Sequence, residues 1–552
     1  MILKTRYSTI LLLLFLGLHT PVAAQTSLRL PPFDFRQLAQ APAQPPIARP
    51  ASPTDPRPHV PLTLEDAVKR ALDQNLDIAV QRINQQTYDI SLASLRSIYS
   101  PTVNTTLMSQ TAKQAATSTI SGAATGAAIT NGTVLFNGSV MQSVPWKGGS
   151  FSAVLNNVRT STTSLNATIN PQYQPNWSAT YTQPLLRNFS TDSTRQQILV
   201  TQINQEISDV QLQQTVMNTI SNVRNAYWDY VFAVQSVEVA RQSLSLAEEL
   251  LRNNQAKVDI GTMAPIDVVQ AQTQAAGARQ QLVTAEGNVR IAEIALKRLI
   301  VSGTTDPLWT SAIDPVDRPD FLPEPIDLTG ATSRALATRT DVVEAKKNLE
   351  ANAVTLKFLE NQTLPQIDLQ TRYATTGIGG TRYITEGSGV NRGQIIDIIQ
   401  GGYLDALSSL FHQQFPTWSV ALNFTQPLGM SAQKASVART RIQQNQIDVQ
   451  LKQIELQVTS DVANAAVQVQ SNAERVQAAQ AARDLAQQQL DAENSKFAVG
   501  MSTNFQVVQA QRDLATAQNN ELQAVLAYRK ALVEFERVQQ TGNAGNITIF
   551  GR

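Results

Sequence analysis

The 552-residue chain contains no cysteine. Disulfides, thiolate metal sites, cysteine nucleophiles and a lipid anchor carried on cysteine are therefore excluded. Charge is also scarce. Asp, Glu, Lys and Arg make up 16% of the residues, against roughly 25% in an average soluble domain. Gln, Asn, Ser, Thr and Ala take their place. The formal net charge is only +1, so there is no broad basic field and nucleic acid is not an expected partner. Outside the N-terminus no apolar run approaches the roughly 18 residues that mark a transmembrane helix. Histidine is rare as well, with His59 and His412 the only two beyond the N-terminal stretch. No metal cluster and no Ser–His–Asp set can be assembled from these residues. No catalytic residue, metal or cofactor is expected.

The N-terminus reads as a secretory leader over 1–24. Lys4 and Arg6 supply the basic region, Ile10 to Leu18 the apolar region, and Val22-Ala23-Ala24 the small residues of a cleavage site. Its removal takes the formal charge from +1 to −1. Residues 25–61 are rich in proline, which removes amide donors and favours extended chain, so the segment reads as a linker or strap.

The remainder repeats itself. Leu64-Glu-Asp-Ala-Val-Lys-Arg-Ala-Leu72 matches Leu328-Thr-Gly-Ala-Thr-Ser-Arg-Ala-Leu336, and the same spacing of 264 links Pro101 to Pro365. Lys257 to Gly261 with Val268 to Gln272 matches Lys496 to Gly500 with Val507 to Gln511, at a spacing of 239. Four landmarks in the same order indicate an internal duplication. The expected organisation is a first repeat over 62–301, an inter-repeat linker over 302–327, a second repeat over 328–540 and a tail over 541–552.

Within each repeat the hydrophobic period is mostly helical. Residues 62–98 read as one helix, stopped by Pro101. Residues 193–258 and 431–497 lack proline and keep a helical period, as in Ile447, Leu451, Ile454 and Val458. Helices of that length span roughly 100 Å at 1.5 Å per residue and read as coiled-coil partners. Each is followed, after Gly261 or Gly500, by another helix, over 265–300 or 504–540. Glycine suits the left-handed position that ends a helix, and Pro265 suits a first turn. Two long αα-hairpins are predicted.

Four stretches alternate with period two instead: Val103 to Leu107, Trp177 to Thr182, Ile367 to Tyr373 and Trp418 to Phe424. In a membrane barrel the apolar face meets lipid and the polar face lines water. Trp177, Tyr181, Trp418 and Phe424 then serve as aromatic anchors at the edges of the apolar band. Four strands cannot close a barrel, since the smallest have about eight, so the chain must oligomerise. The intervening segments 111–176 and 374–417 are rich in Gly, Ser, Thr and Asn and read as surface loops, in part as extra strand.

The segments Lys496 to Gln511 and Lys257 to Gln272 resemble the helix–turn–helix signature of TolC-family outer membrane efflux proteins. The strand exits Gln183-Pro184-Leu185 and Gln426-Pro427-Leu428 resemble that family too, as do the Pro101 and Pro365 entries into strand. The resemblance covers roughly 62–540. It implies a mainly α fold with a membrane β-barrel: a homotrimer in which each chain gives four strands to a twelve-stranded barrel continued as a long α-helical periplasmic tunnel. It implies a bacterial outer-membrane location with most of the mass in the periplasm. It further implies a non-enzymatic exit duct for efflux or type I secretion, working with a periplasmic adaptor (membrane fusion) protein and an inner-membrane pump of RND or ABC type. Carried over by position, Gly261, Thr262, Gly500, Met501 and Ser502 form the hairpin turns and the adaptor contact. Gln506, Gln509, Phe497 and Asp267 form the periplasmic entrance. Family members often have acids where this chain has Gln506 and Gln509, so weak block by divalent cations is expected. The competing reading is a secreted surface coiled-coil adhesin, which explains the helices but not the strands.

Overall fold

The computed structural model describes residues 57–117, 121–124, 126–318, 321–323, 325–387, 393–426, 428–429 and 431–540. The leader, the tail and residues 25–56 of the Pro-rich segment lie outside the described residues. The first half runs β1 (His59–Leu62), α1 (Leu64–Gln74), α2 (Leu76–Ser97), β2 (Thr102–Ala115), β3 (Ala128–Ser143), β4 (Ser150–Thr162), β5 (Ile169–Pro184), α3 (Ser193–Asp259), α4 (Pro265–Ile300), α5 (Pro307–Thr310) and β6 (Ala312–Pro315). The second half runs α6 (Leu328–Thr338), α7 (Thr340–Gln362), β7 (Gln366–Thr376), β8 (Gly379–Thr385), β9 (Ile395–Ile399), α8 (Tyr403–Phe411), β10 (Phe415–Thr425), α9 (Ala432–Ala498) and α10 (Asn504–Gln539).

The duplication survives in the lengths. Helices α3 and α9 each have 67 residues, and α4 and α10 each have 36. At 1.5 Å per residue the long helices run about 100 Å. Helices α2 and α4 both pack along α3, while α7 and α10 both pack along α9. Helix α10 also packs on α3, which joins the two repeats.

The single helix expected over 62–98 is two helices. Asn75 breaks it, with extended backbone at φ −65° and ψ 129°. Its Oδ1 accepts from the amides of Asp77 (2.9 Å) and Ile78 (3.3 Å), capping α2, while its Nδ2 donates to the carbonyl of Leu299 at 3.0 Å. The second repeat breaks at Arg339, 264 positions later, with φ −60° and ψ 131°. There the guanidinium holds Asp341 at 2.6 Å and Asp461 on α9 at 3.0 Å. Different side chains thus stabilise the same backbone break.

Beside these breaks lies the main core, built from Leu62, Val223, Tyr227, Leu296, Ile300 and Ile313. Strands β1 and β6 pair in parallel there, His59 opposite Ala312 and Leu62 opposite Pro315. The last residues of the Pro-rich segment and part of the inter-repeat linker are therefore folded rather than loose. Arg57 reaches Glu293 at 2.9 Å, and Glu293 also holds Lys297 at 2.6 Å. The buried Tyr227 hydroxyl donates to the Asp317 carboxylate at 2.7 Å. Burial, reinforced by that carboxylate, pushes the phenol well above its usual range.

The remaining strands form an antiparallel sheet in the order β10-β7-β5-β4-β3-β2, with β8 pairing β5 and β9 pairing β8. All four alternating stretches of the sequence lie in strands of this sheet, in β2, β5, β7 and β10. The segment 111–176, read chiefly as surface loop, supplies two more strands, β3 and β4. They pair along β2 and β5 over 14 and 11 residue pairs. In the second repeat β7 and β10 pair directly, and the residues between them fold as β8, β9 and α8. Helix α8 sits tightly on the chain at Gly377, where a Cβ would come 2.0 Å from the carbonyl oxygen of Ala406.

Candidate functional site

Two regions at opposite ends of the long helices carry the expected site residues. At one end are the hairpin tips. Helix α3 closes with Gly261 at φ +76° and α9 with Gly500 at φ +78°. The Gly261 amide donates to the Val258 carbonyl and the Thr262 amide to the Lys257 carbonyl, both at 2.9 Å. Gly500 donates to Phe497 at 3.3 Å and Met501 to Lys496 at 2.8 Å. Both are the paired closure in which a left-handed residue lets two orphan carbonyls be satisfied. A Cβ at either glycine meets nothing within 4 Å, so the requirement for glycine is torsional.

The next helices start differently. Pro265 opens α4, whose N-terminus has no side-chain cap. Thr503 caps α10 reciprocally with Gln506: Thr503 Oγ1 accepts from the Gln506 amide at 3.4 Å, and Gln506 Oε1 accepts from the Thr503 amide at 3.2 Å. Gln506 is therefore held in the cap. Gln509 lies one turn on, exposed, and donates to Asp513 at 2.8 Å. Phe497 packs with Leu250, Val507 and Val508, and the Lys257 ammonium lies 4.0 Å from its ring centroid. It links the two tips. The backbone carbonyl of Asp267 accepts from Asn504 Nδ2 at 3.2 Å.

Three tip residues escaped the sequence reading. Asn254 on α3 and Asn504 on α10 are both buried and joined at 2.7 Å. They are 250 positions apart, and nothing local in the sequence announces that contact. Glu493 on α9 holds Lys496 at 2.9 Å and accepts from the Ser502 hydroxyl at 2.7 Å. Lys496 first, and then Ser502, hold its carboxyl below the usual carboxylate range. The tip also exposes apolar side chains: Ile260, Ile266, Val499, Met501 and Phe505 are each more than half exposed.

At the other end is the sheet. Residues directly opposite one another in an antiparallel pair lie on the same face. From β10 the register carries Trp418 to Tyr373, then to Ala179, Ala153, Val140 and Val103. It carries Val420 to Thr371, Tyr181 and Phe151. One face thus holds Phe424, Leu422, Val420, Trp418, Tyr181, Trp177, Leu155, Phe136, Leu107 and Val103. The expected anchors Trp177, Tyr181, Trp418 and Phe424 all lie on it, and the Trp177 and Tyr373 rings are 5.6 Å apart. Trp418 and Leu107 on the two edge strands are 75% and 77% exposed, and Phe136 and Leu155 between them 49% and 40%, so the apolar exposure is contiguous rather than scattered. The opposite face is mainly polar, with Asn423, Ser419, Arg372, Thr180, Ser178, Asn156, Ser139, Asn137, Thr106 and Asn104, and has Leu135, Val154, Val158, Met108, Met141 and Phe415 among its apolar members. That is the pattern of a barrel wall between lipid and water.

Among the described residues no group of His, Cys, Asp and Glu could hold a metal ion, and no helix is long and apolar enough to cross a membrane.

Comparison with known proteins points the same way. The chain is 24% identical over 313 residues to the outer membrane efflux protein BepC of Brucella suis, covering 56% of this chain and 60% of that protein. It thus matches less than two thirds of that relative's length. Its fold is similar to the CmeC outer membrane channel of Campylobacter jejuni (TM-score 0.60, 16% identity, 86% of this chain and 85% of that one). It is likewise similar to the VceC outer membrane protein of Vibrio cholerae (TM-score 0.57, 12% identity, 86% and 95%). The profile of the outer membrane efflux protein family matches residues 150–301 and 331–538, more than half of the chain. The chain therefore belongs to the outer membrane efflux protein family, and its fold is that of the family's outer-membrane proteins, a β-barrel continued as an α-helical periplasmic tunnel.

Proposed function

We propose that this protein is the exit duct of a tripartite efflux or type I secretion system. Three copies enclose a passive channel that carries small molecules or proteins across the periplasm and the outer membrane. The observation that carries this reading is the pairing of opposites along one chain. A sheet with an apolar and a polar face sits at one end of helices about 100 Å long. Two hairpin tips with matching turns sit at the other. The apolar side chains at the tips, Met501 and Phe505 among them, suit docking of a periplasmic adaptor, which in turn links the duct to an inner-membrane pump of RND or ABC type. The turns at Gly261-Thr262 and Gly500-Met501-Ser502 supply the rigid backbone of that contact. Gln506, Gln509, Phe497 and Asp267 line the periplasmic entrance in this reading.

The test is the susceptibility of a strain lacking the protein. It should become sensitive to dyes and detergents, or lose a secreted protein. The natural chain should restore the phenotype. A chain carrying Met501→Ser and Phe505→Ser should reach the outer membrane without restoring it. Unchanged susceptibility together with an unchanged secreted fraction would reject the duct.

A further inference from the structure

We infer that each chain contributes six membrane-spanning strands, so that three chains close a barrel of eighteen strands rather than twelve. The inference rests on the three-fold duct proposed above, but its own ground is the hairpin β3–β4.

Four features identify that hairpin as barrel wall. The first is topology. Strand β2 leaves the helical body after α2, and β5 must return to it before α3. Only an even number of strands can be inserted between them, and β3 and β4 are two. The second is length. They have 16 and 13 residues, against 14 in β2 and 16 in β5, so they run alongside their neighbours for almost their whole extent. The third is parity. A register slipped by one residue would turn every side chain to the wrong face. The observed register instead sets Val140 beside Val103, Phe136 beside Leu107, Leu155 beside Trp177 and Phe151 beside Tyr181. The apolar face continues across the hairpin through Val140 and Ala153, Phe136, Leu155 and Phe151, interrupted where Asn157 lies opposite Phe136 and Gln142 opposite Phe151, and Asn137, Ser139 and Asn156 continue the polar one.

The fourth is anchoring. The turn between β3 and β4 is not free. Lys147 (φ +63°) and Gly148 (φ +69°) are both left-handed there. The Lys147 carbonyl accepts from Gln183 Nε2 at 2.8 Å, and its ammonium lies 4.6 Å from the Phe189 ring centroid. A Cβ on Gly148 would come 2.5 Å from the Asn188 carbonyl oxygen. The turn is thus seated against residues 183–189, at and just after the end of β5, on the helical side of the sheet.

The outer edges agree. Both β2 and β10 lack a partner on one side among the described residues. They run in opposite directions, so β2 of one chain meets β10 of the next as one more antiparallel pair. At a strand spacing of about 4.8 Å and a tilt of about 40°, eighteen strands give a barrel roughly 36 Å across its backbone, against roughly 24 Å for twelve. Barrels of about 16–18 strands leave an aqueous channel. The outer-membrane segment of this duct is accordingly wide and polar, and it does not select cargo by size.

The experiment is electron microscopy of the full-length protein in lipid nanodiscs, at a resolution that separates strands within the lipid belt. Eighteen strands, six from each chain, are expected. Four strands per chain in the belt, with residues 128–162 folded inside or outside it, would overturn the inference whatever the symmetry. A ring of different symmetry with six strands per chain would instead reject the three-fold reading, and with it the number eighteen. A cysteine pair gives a second measurement in a chain that has no other cysteine. Val103→Cys with Val140→Cys should cross-link within one chain on mild oxidation. Val103→Cys with Ala179→Cys should not, because two strands separate those positions. Efficient cross-linking of the second pair would mean that β2 lies directly beside β5, and would overturn the inference.

Discussion

Gly500 and Gly261 are required for their torsion alone, since the space around a Cβ is empty at both. Gly500→Ala should cost about 1–2 kcal/mol in the tip, the penalty of a left-handed L-residue, while Gly500→Asn should cost less. Amide hydrogen exchange over 496–503 measures both, and equal protection in all three proteins would contradict the torsional account. Glu493 sets a pH dependence. Its carboxyl is held below the usual range, so its contribution is complete above the ordinary carboxylate pKa and is lost as pH falls through the depressed one. A spin label at Val499→Cys should gain mobility on that descent in the natural tip. In Glu493→Gln it should be mobile throughout. An identical titration in both proteins would remove the carboxylate from the account. The turn glycines were legible in the sequence because a helix end writes its own signature. Asn254 and Asn504 were not, because their hydrogen bond depends on two hairpins meeting. Gln506 shows a middle case. Thr503-x-x-Gln506 is a readable capping pattern, while the family resemblance places the same Gln506 at the entrance.

At the scale of the strand, neighbouring positions should differ sharply. Val420 faces the apolar side and is 61% exposed, whereas Asn423 faces the polar side. Val420→Arg should destabilise the assembled barrel by about 2–4 kcal/mol per chain, the cost of arginine near the middle of a bilayer. Asn423→Arg should cost little. The fraction of chain recovered as heat-resistant oligomer from lipid vesicles reads the difference, and equal recovery would invert or abolish the assigned faces. Strand β10 was legible because Trp418, Val420, Leu422 and Phe424 alternate without interruption. Strands β3 and β4 hid in 111–176 because Leu135-Phe136 and Val154-Leu155 break the alternation and because a content rich in Gly, Ser, Thr and Asn, Gly132 and Gly138 included, suits surface loop. The period-two signal was present in Val134, Phe136 and Val140, and the glycines occupy strand positions opposite Ser161 and Leu155. The helix breaks at Asn75 and Arg339 were missed for a related reason. Neither is glycine or proline, and each break is stabilised by partners far along the chain, Leu299 and Asp461.

At the scale of the whole molecule, the duplication was the most legible property, since it needs only self-comparison. The equal lengths of α3 and α9, and of α4 and α10, bear it out. The inserted hairpin is where the halves part company. The strand edges have a consequence for how such a molecule comes into being. Strand β2 is exposed along nearly all of its 14 residues, and β10 along nearly all of its 11. A lone chain would bring two rows of unpaired amides and carbonyls into hydrocarbon, where each costs several kcal/mol, and in water the same edges invite misassociation. Insertion and association must then be a single event. The barrel should appear at a rate that rises more steeply than in proportion to chain concentration, and a dilute chain should wait in the periplasm for a chaperone or a partner rather than in the bilayer.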